Sequence, residues 1–86
     1  MTPLATDALQ RLEERRAAIE RSLPEAPTDT AWRELAETQA ALDRIERGIY
    51  GRCEECGGAI GRQRLIALPA IRHCIGCSTG AYPLKR

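Results

Sequence analysis

The sequence predicts a mainly α fold: an antiparallel two-helix coiled-coil hairpin followed by a small four-cysteine module. Three observations predict it. Composition changes at Gly48, from Ala, Glu, Arg and Leu to glycines, cysteines and short apolar runs. The first half carries two matching apolar rhythms separated by Pro24 and Pro27. The second half holds every cysteine of the 86-residue chain, as two Cys-x-x-Cys pairs seventeen residues apart. Residues 1–48 are thus read as the hairpin, with its turn at 24–28, and residues 49–86 as the finger with a short C-terminal tail.

The first helix is expected over "TPLATDALQRLEERRAAIERSL". Thr2 can cap it, and Pro3 suits a first-turn position because the N–H it lacks would have no partner there. Pro24 and Pro27 break the pattern. The second helix, "DTAWRELAETQAALDRIER", is expected to start from Thr28 or Asp29 and to stop at Gly48, a favoured residue just past a helix end.

Alternating steps of four and three link Ala5, Leu9, Leu12, Arg16, Ile19 and Leu23 in the first helix. The same steps link Ala31, Leu35, Thr38, Leu42, Ile45 and Ile49 in the second. Folding the chain about position 27 sets Leu23 against Ala31, Ile19 against Leu35, Arg16 against Thr38 and Leu12 against Leu42. That is a heptad-like antiparallel seam with one polar layer. The outer face is expected to carry pairs at i,i+4 spacing, Arg33 with Glu37 and Asp43 with Arg47. Two helices with so narrow a seam are marginal alone. The hairpin is therefore expected to be clamped at its base, where Ile49 and Tyr50 run into the cysteine module.

That module reads "CEECGGAIGRQRLIALPAIRHCIGC". Its Cys-x2-Cys-x17-Cys-x2-Cys spacing lies within the range of four-thiolate zinc sites, so Cys53, Cys56, Cys74 and Cys77 are the expected ligands of one structural Zn2+. Each Cys-x-x-Cys turn lets two sulfurs grip one ion. Gly57 and Gly58 permit a tight knuckle, Ile60 can shield the site, and "GRQRLIAL" is expected to be a short helical or irregular excursion turned back by Pro69. A thioredoxin-like redox pair would expect one such motif beside a βαβ pattern, which is missing here. His73 reads as a solvent-facing neighbour, since four cysteines complete the set.

Composition narrows the function classes. With no Phe, two Tyr and one Trp, a chain this small needs a staple, and metal is the candidate. No export signal or membrane-length apolar run is visible, which points to a reducing cytoplasm, where paired thiols bind metal. Residues 1–47 carry ten acids against seven arginines, and residues 48–86 two acids against six bases. The basic second half is a weak pointer to nucleic acid. Zinc held by four protein ligands keeps no open position, and no nucleophile–base set accompanies it, so the protein is not expected to be an enzyme.

From about Ile45 to Cys77 the sequence resembles the DksA/TraR family of bacterial transcription regulators. The residues that carry the resemblance are Gly48, Tyr50, Gly51 and Cys53, then Cys56, Gly57, Ile60 and Gly61. Arg64, Leu65 and Pro69 follow, and Cys74, Ile75 and Cys77 close the motif. The resemblance implies a protein that binds RNA polymerase directly, without contacting promoter DNA. Its hairpin would enter the secondary channel with the tip toward the active site, while the finger and C-terminal helix rest on the rim. Such proteins change the lifetime of promoter complexes, often together with ppGpp.

Long family members carry Asp-x-x-Asp-x-Ala at the tip, with Pro after the first Asp. In "APTDTA" here, Pro27, Asp29 and Ala31 match, and Ala26 replaces the first Asp. Asp29 has two compatible readings, helix cap or carboxylate presented to the polymerase. Trp32 either packs beside Leu23 or serves as a partner anchor. Pro27, Asp29, Ala31 and Trp32 are thus the candidate tip contacts.

The hairpin is shorter than in long members, roughly 28 Å for residues 29–47 at 1.5 Å per residue. Gly80 and Pro83 curtail the last helix, and Lys85 and Arg86 end it with charge. A monomer is expected. The other readings are a finger that binds nucleic acid through Arg52, Arg62, Arg64 and Arg72, and an adaptor whose hairpin pairs with another protein.

Overall fold

The computed structural model describes residues 2–79. Gly80, Tyr82, Pro83, Lys85 and Arg86, which bear on the tail, lie outside the described residues. Four helices follow in order: α1 (Pro3–Ser22), α2 (Asp29–Glu46), α3 (Arg62–Ala67) and α4 (Ile75–Thr79). The first two form the hairpin, and the short pair belongs to the cysteine module.

Local chemistry sets the hairpin ends. Thr2 Oγ1 accepts the Ala5 N–H at 3.1 Å, and Pro3 occupies the first turn of α1. After Ser22 the chain turns, with the N–H groups of Glu25 and Ala26 both donating to Ser22 O at 3.1 and 2.9 Å. Of the two candidate caps for α2, Thr28 is the one used: its Oγ1 accepts the Ala31 N–H at 3.0 Å. Asp29 begins the helix itself, where its charge complements the dipole. Thr28→Ala is therefore expected to cost about 1 kcal/mol and Asp29→Ala about 0.5 kcal/mol, read by denaturant unfolding of the zinc-loaded protein.

The other end of α2 closes at Gly48, whose φ is +77°. Gly48 N–H donates to Ile45 O at 3.1 Å and Ile49 N–H to Arg44 O at 3.0 Å. This pair of bonds satisfies the last carbonyls and turns the chain out of the helix.

Leu12, Leu23, Leu35, Thr38 and Ile45 are buried, as the seam predicts. The innermost layer departs from it: Ala8 and Leu12 cluster with Ala41 and Ile45. A stripe of large residues overlooks the alanines, whose small side chains suit close approach of two helices. Ile49, assigned to the seam, is 37% exposed, because helical spacing no longer applies past Gly48. In the expected polar layer, Thr38 is fully buried and donates to Glu34 O within its own helix at 2.8 Å. It needs no partner across the seam.

The cysteine module folds back along the base of the hairpin. Tyr50 packs on both apolar clusters, the hairpin's and the finger's, and its hydroxyl donates to Pro69 O at 2.9 Å. Arg11 of α1 donates to Ile66 O near the end of α3 at 2.7 Å, where a helix favours a cation. The clamp expected at the base thus involves Tyr50, with Ile49 largely outside it.

Candidate metal centre and hairpin tip

The first knuckle is shaped by backbone bonds. Arg52 and Ala59 form an isolated antiparallel bridge. Inside it, Cys53 N–H donates to Gly58 O at 2.8 Å, and Gly57 N–H donates to Cys53 O at 2.9 Å. Gly57 has a φ of +77°, so a side chain there would strain the turn. Gly58 N–H reaches Cys56 Sγ at 3.4 Å, the kind of contact that steadies a thiolate. The second knuckle opens α4, where Ser78 N–H donates to Cys74 O at 2.8 Å. Glu54 N–H donates to Arg72 O at 2.9 Å and ties the two knuckles together.

This folding brings the four sulfurs of Cys53, Cys56, Cys74 and Cys77 within 4.8 Å of one another. Cys56 and Cys74 stand 3.8 Å apart. Four sulfurs about 2.3 Å from a tetrahedral zinc would be roughly 3.8 Å apart, so the donor set fits that ion. Cys53, Cys74 and Cys77 are buried and Cys56 is exposed. Burial opposes thiolate formation at Cys53, but hydrogen bonds from the backbone of Cys56, Cys74 and Glu55 outweigh it and bring its pKa to about 6. Burial, with the other thiols, pushes Cys77 up to about 12. Zinc would relieve that crowding by taking up all four charges. His73 is not among the clustered donors; its carbonyl accepts from Arg64 at 3.3 Å.

Ile60 and Leu65 complete the core around the sulfurs, joined by Leu4, Tyr50 and Ile71. Gly51, with a φ of +94°, passes close by: a Cβ there would meet Leu65 Cδ1 at 3.4 Å.

One residue that holds the module to the hairpin is absent from the sequence reading. Arg44 of α2 has a side chain only 6% exposed. It donates to Ala70 O and Ile71 O, both at 3.3 Å, and pairs with Glu54 Oε2 at 3.5 Å. Burial lowers its pKa, and the Glu54 charge opposes that. Its place beside Ala41 and Ile45 on the buried face was the available signal. Arg72 pairs with Glu37 at 3.0 Å and Glu54 at 3.4 Å. The expected Arg33–Glu37 pair is thereby replaced, since Glu37 turns to the finger, whereas Asp43–Arg47 forms at 3.3 Å.

At the opposite end, Pro27 and Asp29 are exposed and Ala31 is half-buried. Trp32 is 56% exposed, so more than half of its side chain faces outward at the flank of the seam. The tip candidates share the first turn of α2 and the loop before it, at the far end of the hairpin from the cysteines.

Among the described residues no helix is long and apolar enough to cross a membrane. Residues 48–83 match the family described as the prokaryotic dksA/traR C4-type zinc finger. An uncharacterized protein of Aquifex aeolicus is 48% identical over 44 residues, 51% of this chain and 30% of that protein. The RNA polymerase-binding transcription factor DksA of Escherichia coli is 38% identical over 45 residues, 52% of this chain. The match covers only 30% of that relative's length as well. A solved structure, the RNA polymerase binding protein and transcriptional regulator Dks of Chlamydia trachomatis, superposes with a TM-score of 0.80 at 26% identity. It covers 94% of this chain and 91% of its own.

Proposed function

From its similarity to the DksA/TraR zinc-finger family, we propose that this chain is a bacterial transcription regulator that binds RNA polymerase directly. The observation that carries the reading is the similarity to the Chlamydia regulator, because it spans the hairpin as well as the finger. The identity with the curated relatives extends over only about half of the chain. In this reading residues 1–48 enter the secondary channel as an arm, tip toward the active site. Residues 49–86 rest on the rim, and one structural zinc at Cys53, Cys56, Cys74 and Cys77 holds the base together. The protein acts as a cytoplasmic monomer, without direct DNA contact and without catalysing a reaction. Four thiolates leave the metal no position for a substrate.

The tip supports the partner role through two exposed groups. Thr28 provides the cap, so the Asp29 carboxylate is available to the polymerase. Trp32, 56% exposed, leaves much of its indole open to a partner.

The test is binding to bacterial core RNA polymerase, with competition by a known secondary-channel factor. Wild-type protein is expected to bind and to be displaced. Trp32→Ala is expected to weaken binding about 30-fold, the roughly 2 kcal/mol of an aromatic anchor. Asp29→Ala is expected to bind but to lose its effect on promoter-complex lifetime, assayed with and without ppGpp as co-regulator. No binding at micromolar concentrations would refute the reading and turn attention to an adaptor role.

A further inference from the structure

Glu54 directly follows the first zinc ligand, and its carboxylate is shared by two arginines. Oε2 accepts from Arg44 Nη1 at 3.5 Å, and Oε1 accepts from Arg72 Nη1 at 3.4 Å. Arg44 belongs to α2, whereas Arg72 lies two residues before Cys74. Arg72 also reaches Glu37 at 3.0 Å. Glu37 and Arg44 are two turns apart on α2, about 10 Å along its axis. The finger is therefore held to α2 at two separated points. One point would act as a pivot; two define a direction.

The covalent joint would not define it alone. The chain passes from α2 to Cys53 through Gly48 and Gly51, both with positive φ, and through Tyr50 between them. An exposed ion pair normally contributes little. Glu54 differs because one of its partners is almost wholly buried. Without the carboxylate, the Arg44 charge would keep only the carbonyls of Ala70 and Ile71 in a poorly solvated place.

We infer that Glu54 is a positioning residue that, through Arg44 and Arg72, ties the Cys53 knuckle to the direction in which the hairpin points. Sulfurs gathered on a metal fix the Cys53–Cys56 turn, and with it the carboxylate that both guanidiniums reach. When the turn opens, both attachments lose their shared partner, and the contacts that remain, Arg11 with Ile66 O, Arg44 with Ala70 O and Ile71 O and Arg72 with Glu37, hold the hairpin's direction less tightly. The coupling lies within the chain and stands whether or not polymerase is the partner.

The full chain loaded with cobalt(II) in place of zinc tests this, because a paramagnetic ion at the sulfurs gives pseudocontact shifts that report orientation. In the wild type, amides of the tip (23–32) and of the finger (51–67) are expected to fit one tensor. In Glu54→Gln the finger shifts are expected to persist while the tip shifts shrink by orientational averaging. Zinc release to a chromophoric chelator is expected to quicken about tenfold, as for supports one step removed from a metal ligand. Asp43→Asn, which breaks an exposed pair away from the finger, should change neither.

Tip shifts equal to wild type in Glu54→Gln would overturn the inference. So would loss of tip and finger shifts together in a variant that retains cobalt, since Glu54 would then only support the knuckle. If Glu54→Gln fails to hold cobalt, Glu54→Asp is read by the same criteria: it keeps the charge but is too short to span both guanidiniums.

Discussion

Stripping the zinc is expected to abolish most of the protein's helical circular dichroism, and adding zinc back to restore it. The reason lies in the finger's core. Of its five buried residues, three are Cys53, Cys74 and Cys77, leaving only Ile60 and Leu65 as apolar members independent of the metal. Four unliganded thiols cannot hold two knuckles and two short helices together. The loss then reaches the hairpin, because Arg44 loses Glu54, Ala70 O and Ile71 O, and the inner cluster loses Tyr50 and Ala70. Magnitudes point the same way. Structural zinc contributes about 10–16 kcal/mol in small domains, whereas a chain of this size is expected to have only about 4–13 kcal/mol of total stability. Two isolated helices of 20 and 18 residues are marginal in water. Unchanged ellipticity after verified metal loss would show that the hairpin stands without its base.

Leu12→Ala is expected to be the most damaging change in the hairpin itself. Leu12 is 1% exposed and, among the described residues, is the one large apolar side chain that is fully buried. Its neighbours in the inner cluster are Ala8, Ala41 and Ile45, and two of these are too small to close over a cavity. The cost is expected to be about 3 kcal/mol, lowering the melting temperature of the zinc-loaded protein by about 15 °C. Ile49→Ala gives the contrast. The heptad rhythm places Ile49 in the same seam, yet it is largely outside the core, and its truncation should cost only about 0.5 kcal/mol. Similar losses at both sites would mean that the seam continues past Gly48.

The candidate site was legible where local rules govern it. Cysteine spacing alone brought out the four donors, and the glycines after Cys56 marked the tight knuckle. Thr2, Pro3 and Gly48 marked helix ends because capping depends on residues only a few positions apart. Trp32 was ambiguous. Hydrophobicity favours burial of an indole, but whether a neighbour exists to cover it at the tip is not a local property. Arg44 was missed because an arginine in an apolar stripe ordinarily extends to water. Here the finger folds over it and supplies a carboxylate and two carbonyls from 10 to 27 residues further along the chain.

The sequence by itself determined the two-helix arm, where its helices begin and end, and the metal-binding pattern of the four cysteines. These follow from backbone hydrogen bonding, side-chain period and ligand spacing, all set within a few residues. Only the tertiary structure decided which faces of the arm meet the finger. It chose Ala8 and Ala41 for the innermost layer, diverted Glu37 from Arg33 to Arg72, and buried Arg44 against Glu54. Such pairings depend on how two preformed pieces dock, and docking is settled by shape and by the need to give every buried charge a partner.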